Sequence, residues 1–351
     1  MTAQTPRALG SASAPAARPL SSLDTAPIRA DLDAVESAMR RHAAGQRLDR
    51  AGVMVQEHLA TGGKRLRARL ALAACTALGA GPGARAWAEA VELLHNATLV
   101  HDDIQDGDRV RRGQPTTWVR HGVAQAINAG DLMLMLPFIA IAQGDVPAAI
   151  QARLSACLAA QAATTVRGQT DELNLLPAGL TDQESYDRAV RGKTGGLFGL
   201  PVEGAALLAG MTPEEAEALA RPFGELGLLF QLQDDVLDLY GDKGREQAGA
   251  DLFEGKISAL VVAHVERRPE ERDAVLALLR TPREETEPVA VATAIADFRE
   301  SGALGDVLLR IQTIADSVRE DEALKAAPAL RAVALEITAL VLRPISHLFA
   351  G

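Results

Sequence analysis

Two cysteines in 351 residues, Cys75 and Cys157, exclude a disulfide framework and offer no metal-ligand spacing, which fits a reducing cytoplasm. Aromatic residues make up only 3% of the chain, so the usual material of a β-rich fold is missing. Positive charge is in deficit: 36 Lys and Arg against 46 Asp and Glu leave a formal net charge of −10. That balance argues against nonspecific binding to nucleic acid or anionic membrane, and leaves room for a local phosphate-binding patch. The longest apolar run, Leu132 to Ala142, is interrupted by Pro137. It is shorter than the ~20 residues a bilayer span takes, so no membrane span is expected. The start of the chain lacks the basic residues and apolar run of a signal peptide. A soluble, cytoplasmic protein is the expectation.

What is present is a chain that is 48% hydrophobic, rich in Ala and Leu, and able to bury a large core as helices. Residues 1–26, rich in Ala, Pro, Ser and Thr without periodicity, read as a flexible tail. Residues 27–351 read as one all-α domain of roughly ten or more helices. Breaks are expected near 61–63, 79–84, 107–115, 143–147, 176–182, 192–201, 209–213 and 241–255.

Against that bland background the acids are clustered. Asp102, Asp103, Asp106 and Asp108 fall within seven residues. Val91, Leu94, Thr98, Asp102 and Asp106 share one helix face, and Gly107 lets that helix end. Carboxylates at a helix C-terminus oppose its dipole, so stability does not explain them. The stretch "FQLQDDVLD" repeats the pattern as Asp234, Asp235 and Asp238 in a second apolar helix that ends at Gly241. Oxygen ligands without His or Cys favour Mg²⁺ or Mn²⁺, and Mg²⁺ completes its shell with waters and substrate phosphates. Cations stand nearby: Lys64, Arg65, Arg67 and Arg69 after Gly62-Gly63, then Arg111 and Arg112, Lys193 with Thr194, and Lys256. Arginine binds phosphate bidentately and lysine as a point charge. Two carboxylate sets with these cations point to metals clamped around a diphosphate.

With "GGKRLR", "HNATLVHDDIQDGDRVRRGQPT", "GKTGG", "FQLQDDVLD" and "GADLFEGK" in this order between Gly62 and Lys256, the chain resembles the trans-isoprenyl diphosphate synthases, or polyprenyl synthetases. The resemblance implies antiparallel helices around a deep central cavity, usually as a homodimer. It implies head-to-tail condensation of isopentenyl diphosphate with an allylic diphosphate, with three Mg²⁺ ions held by Asp102, Asp103, Asp106, Asp234, Asp235 and Asp238. It assigns Arg111, Lys193, Thr194, Gln231 and Lys256 to the allylic diphosphate, and counts Lys193 with the aspartates as catalytic. It assigns Lys64, Arg67, His95 and Arg112 to the isopentenyl diphosphate. His101 and Asp108 are left out of the ligand set. The chain departs from the family at "GDKGREQAGAD", where the usual lysine is replaced by Arg245 or Lys243, and at Ser258, where Thr is common.

Members of the family that stop at fifteen carbons commonly carry an aromatic residue four or five positions before the first aspartate. Here those positions are Thr98 and Ala97, both small, so the cavity floor is expected deeper. Leu94, or Met133, Met135 and Phe138 on the next helix, are candidates, and the expected product is geranylgeranyl diphosphate, with twenty-five carbons or more as the alternative. Two rivals are weaker. A class I terpene cyclase would carry an Asn/Ser/Glu metal motif and an aromatic-rich pocket, and this chain has seven Phe, two Tyr and two Trp. A noncatalytic partner subunit would have lost aspartates or cations that are all present.

Overall fold

The computed structural model describes residues 22–241 and 248–350. The proposed tail therefore lies almost wholly outside the described residues, as do Lys243 and Arg245.

The described chain is helical almost throughout. In order it forms α1 (Ala26–Ala44), α2 (Arg50–Ala60), α3 (Leu66–Ala77), α4 (Ala84–Gln105), α5 (Thr117–His121), α6 (Val123–Gln143), α7 (Ala148–Ala178) and α8 (Gln183–Val190). A π-helical turn (Arg191–Gly195) leads into α9 (Gly196–Leu208) and α10 (Pro213–Tyr240), followed by α11 (Ala250–Phe253) and α12 (Ala259–Arg267). The remaining segments are α13 (Arg272–Arg280), α14 (Pro288–Glu300), α15 (Ala303–Glu320), α16 (Glu322–Ala326) and α17 (Pro328–Leu342). Two-residue strands β1 (Val110–Arg111) and β2 (Gln114–Pro115) make one antiparallel hairpin after α4.

The ends of the site-bearing helices follow local chemistry. Thr212 and Glu215 form a reciprocal capping box that starts α10, and Gly241 caps its far end. At the end of α4, Asp106 caps the helix and Gly107 turns the chain at φ 70°. Between its ends α4 is largely buried and lies against α3, α6 and α9. Trp87 is fully buried there, its indole donating to the Pro201 carbonyl at 2.9 Å.

Two expectations need correction. The glycine-rich stretch 192–201 is no break: it is the π turn running into α9. Its glycines serve close packing, since a Cβ on Gly192 would sit 2.8 Å from the Gly168 Cα. The apolar run at 132–142 belongs to the 21-residue α6, because Pro137 is absorbed inside the helix. By length and composition alone, α6 and Pro328–Phe349 could each cross a bilayer. In the fold, α6 buries Met133 and Leu136 against its neighbours, α4 foremost.

Candidate active site

The last turn of α4 and the C-terminal half of α10 face one another across a cavity of about 470 Å³. Asp102 and Asp234 both line it. Burial pushes the Asp102 carboxyl up to about 6, with the Lys193 ammonium opposing and Asp106 and Glu172 reinforcing the shift.

Asp103 and Asp235, each one residue along its helix from a wall residue and so ~100° round from it, are off the wall, as are Asp106 and Asp238 one turn on. Asp103 is 1% exposed and accepts from Arg111 Nε at 2.6 Å, which pins the β hairpin to α4. Asp106 pairs with Lys256 at 3.2 Å. Asp235 is 2% exposed and accepts from the Tyr186 hydroxyl at 2.7 Å, the Ala259 amide at 2.7 Å and Gln231 Nε2 at 2.9 Å. Burial raises Asp235 to about 6 despite those donors. Asp238, also buried, accepts the Asp251 amide at 3.0 Å. Among the described residues no three His, Cys, Asp or Glu side chains converge on a point that could hold a metal ion. Of the two triads seen in the sequence, Asp102 and Asp234 are the carboxylates on the cavity wall, while Asp103, Asp106, Asp235 and Asp238 have partners in neighbouring segments.

Arg111, Lys193, Thr194 and Gln231 line the cavity, whereas Lys256 stands off its wall. Lys193 pairs with Glu172 of α7, and the Glu172 and Asp102 carboxylates raise its ammonium against the opposing effect of burial. Asp106, Glu254 and Asp251 likewise outweigh burial and push Lys256 up. Both lysines are therefore firmly cationic.

Arg67, His95 and Arg112 line the cavity too, while Lys64 is exposed and outside the lining. The Arg67 guanidinium lies 4.9 Å from the centre of the Phe198 ring. Burial pulls Arg67 down to about 10, with Glu92 holding it up and Arg112 adding to the fall. Burial and the surrounding arginines hold His95 well below the usual imidazole range, so it is neutral. Arg112, at φ 52°, donates to the Gly62 carbonyl. Gly63 sits at φ +131°, a conformation that strains any L side chain, and a Cβ there would have to push aside the Arg112 guanidinium 2.6 Å away.

Of the chain-length candidates, Thr98 and Leu94 line the cavity; Ala97 and Met133 are buried elsewhere in the core, and Met135 points outward at 55% exposure. Phe138, partly buried, is also off the wall. Leu134 of α6 is the residue that reaches it, and sequence reading passed over it for its neighbour Met133. Also missed were Gln169 and Glu172 on α7. Gly168 was the signal: a glycine deep inside a helix costs ~1 kcal/mol unless close packing needs it. Here a Cβ would lie 2.2 Å from the Lys193 backbone nitrogen. Gly168→Ala is expected to lower unfolding free energy by ~1–3 kcal/mol in urea titration. An unchanged midpoint would show that α7 and the π turn are not in such close contact.

Residues 51–297 match the family model described as polyprenyl synthetase. Over 256 residues the chain is 34% identical to the short chain isoprenyl diphosphate synthase of Methanothermobacter thermautotrophicus, covering 70% of this chain and 76% of that protein. Over 270 residues it is 34% identical to the geranylgeranyl diphosphate synthase of Mycobacterium tuberculosis, covering 74% and 77%. A solved geranylgeranyl pyrophosphate synthase matches at a TM-score of 0.81 and 25% identity, covering 93% of this chain and 98% of that one. A solved decaprenyl diphosphate synthase from Rhodobacter capsulatus matches equally, at 0.81 and 27% identity, over 93% and 99%. Proteins named for products of different length therefore share this fold, and product length has to be argued from the cavity.

Proposed function

The chain belongs to the polyprenyl synthetase family and is a trans-prenyltransferase, and from that premise we propose that it condenses isopentenyl diphosphate head-to-tail with allylic diphosphates to give geranylgeranyl diphosphate. The observation that carries this reading is Asp102 and Asp234 facing each other across one cavity with cations at their end and apolar walls beyond.

The donors fit hard divalent cations, since the acids facing the cavity are carboxylates without thiolate. Asp102 and Asp234 would hold Mg²⁺, three ions by family resemblance and Mn²⁺ as a substitute, with Asp106 joining when Lys256 turns to phosphate. When bound, the ions stabilise negative charge on the departing diphosphate. Arg111 and Lys193 take the diphosphate oxygens from the cavity wall, with Thr194 and Gln231 as hydrogen-bonding partners. The allylic carbon–oxygen bond breaks with its electron pair going to the diphosphate. Leu99, Leu197 and Phe230 keep water from the cation that forms. The isopentenyl double bond, positioned by its own diphosphate on Arg67, Arg112 and neutral His95, supplies the electrons of the new carbon–carbon bond. Lys64, exposed at the rim, meets that diphosphate as it arrives. The released diphosphate takes the proton lost in the last step. Asp103, Asp235 and Asp238 act by holding the hairpin, α8, α12 and the 249–251 turn in place.

Thr98 and Leu94 below Asp102 support a twenty-carbon product. We read the working unit as a cytoplasmic homodimer; exposed Ile127, Met135 and Ile139 on α6 support a partner on that face. The test is to incubate purified protein with Mg²⁺, labelled isopentenyl diphosphate and, separately, dimethylallyl, geranyl and farnesyl diphosphates, and to identify the dephosphorylated products. A twenty-carbon alcohol is expected. Longer alcohols would keep the chemistry and move the floor beyond Leu94. No condensation with any starter would overturn the reading.

A further inference from the structure

We propose that Glu92, which does not line the cavity, is a positioning residue that fixes the first turn of α3 and balances the arginines facing the isopentenyl diphosphate. The proposal rests on the site reading above.

Glu92 lies on α4, one turn before Asn96, and is 2% exposed. Its Oε2 accepts the Ala68 amide at 3.2 Å, and its Oε1 accepts from Asn96 Nδ2 at 3.2 Å and stands 3.7 Å from Arg65 Nη1. The start of α3 explains the first contact. Its N-cap is Arg65, in the left-handed region at φ 50° and with no side-chain capping bond. The free amides of that turn therefore look to another helix, and Glu92 supplies the carboxylate that an Asp or Ser cap would have supplied locally.

Arg65 is itself buried, with Nε on Glu36 of α1 at 2.9 Å and Nη2 on the Leu59 carbonyl of α2 at 2.7 Å. Asn96 also donates to the Glu92 carbonyl at 2.8 Å, one turn back on the same helix. Glu92 thus sits at the junction of α2, α3 and α4, directly behind the turn that carries Lys64 and Arg67. Burying a carboxylate is costly, and an apolar side chain could fill the same volume. What an apolar side chain could not do is oppose the mutual repulsion of the cations gathered here. Arg67 and Arg112 are both depressed first by burial and then by neighbouring guanidinium groups, and Glu92 is the carboxylate that counters this at both. Without its charge, α3's first turn loses a cap and the arginines lose the group that keeps them close enough to share one diphosphate.

Glu92→Gln keeps the shape and an acceptor for Ala68 but removes the charge; Glu92→Asp keeps the charge with a shorter reach. The measurement is steady-state kinetics for both substrates, with isopentenyl diphosphate binding by calorimetry and a thermal melt as a folding control. In Glu92→Gln, KM and Kd for isopentenyl diphosphate are expected to rise roughly tenfold or more, the size of a lost charge-assisted contact. KM for the allylic substrate should stay within about twofold, and Glu92→Asp should recover part of the loss. Unchanged isopentenyl diphosphate affinity in Glu92→Gln, or both KM values moving together, would overturn the proposal while the wild-type protein still turns over. Failure of the wild-type protein to bind isopentenyl diphosphate would instead sink the site reading, and the proposal with it.

Discussion

Asp102→Asn should slow condensation by roughly 10³-fold or more while leaving the protein as stable as before or more so. The two halves of that expectation come from different observations. The rate falls because Asp102 is the α4 carboxylate on the cavity wall. Stability holds because burial drives this carboxyl up to about 6, so its charge is a burden in the ligand-free fold. A raised acid contributes stability below its ordinary value of 3.8 and loses that contribution as pH rises through about 6. The ligand-free Asn variant should therefore show a flatter dependence of Tm on pH across that window. Asp235→Ala should behave in the opposite way. It leaves the Tyr186 hydroxyl, the Ala259 amide and Gln231 without their acceptor. A loss of roughly 3–5 kcal/mol in unfolding free energy is expected. Denaturant titration beside single-turnover rates checks both; a stable Asp235→Ala or an unstable Asp102→Asn would reverse the assigned roles.

Thr98→Phe is expected to move the main product from twenty carbons to fifteen while retaining turnover. Thr98 lines the cavity one helical turn, ~5.4 Å, below Asp102, about the length of one extended prenyl unit. Among the described residues its hydroxyl bonds only to the His95 carbonyl, at 2.8 Å, so a larger side chain can replace it without stranding another described side chain. Leu94→Ala, a turn deeper, should lengthen the product by one or more five-carbon units. Met133→Ala should not change product length, because Met133 is buried away from the cavity. Chromatography of the dephosphorylated alcohols decides. A twenty-carbon product from Thr98→Phe would mean that the tail grows along a different wall, with Leu134 or Val166 the next positions to test.

These experiments separate residues that look alike in sequence. Period and capping chemistry made the helices legible, including the ends of α4 at Gly107 and α10 at Gly241, since both depend on neighbours within one turn. The clustered acids and the ordered motifs made the reaction class legible. The stretch 192–201 misled because glycines read locally as breaks, and their packing partner Gly168 is a separate segment of chain. Leu134 was passed over for Met133 because adjacent residues on a helix differ by ~100°, and which one faces a cavity depends on the neighbouring helices.

By itself, then, the sequence determined an all-α chain, the placement of acids at the ends of two helices, and the cations that belong with them. All of that rests on interactions within about four residues and on residue chemistry. Only the tertiary structure decided which acids reach the cavity. Asp234 does; Asp235, its immediate neighbour, is taken by Tyr186, 49 residues earlier, and by the Ala259 amide, 24 residues later. The same holds for Glu92, whose contact with Ala68 spans 24 residues. A side chain's direction is set by its own helix, but its partner is set by which helices pack together, and helix periodicity carries no record of that.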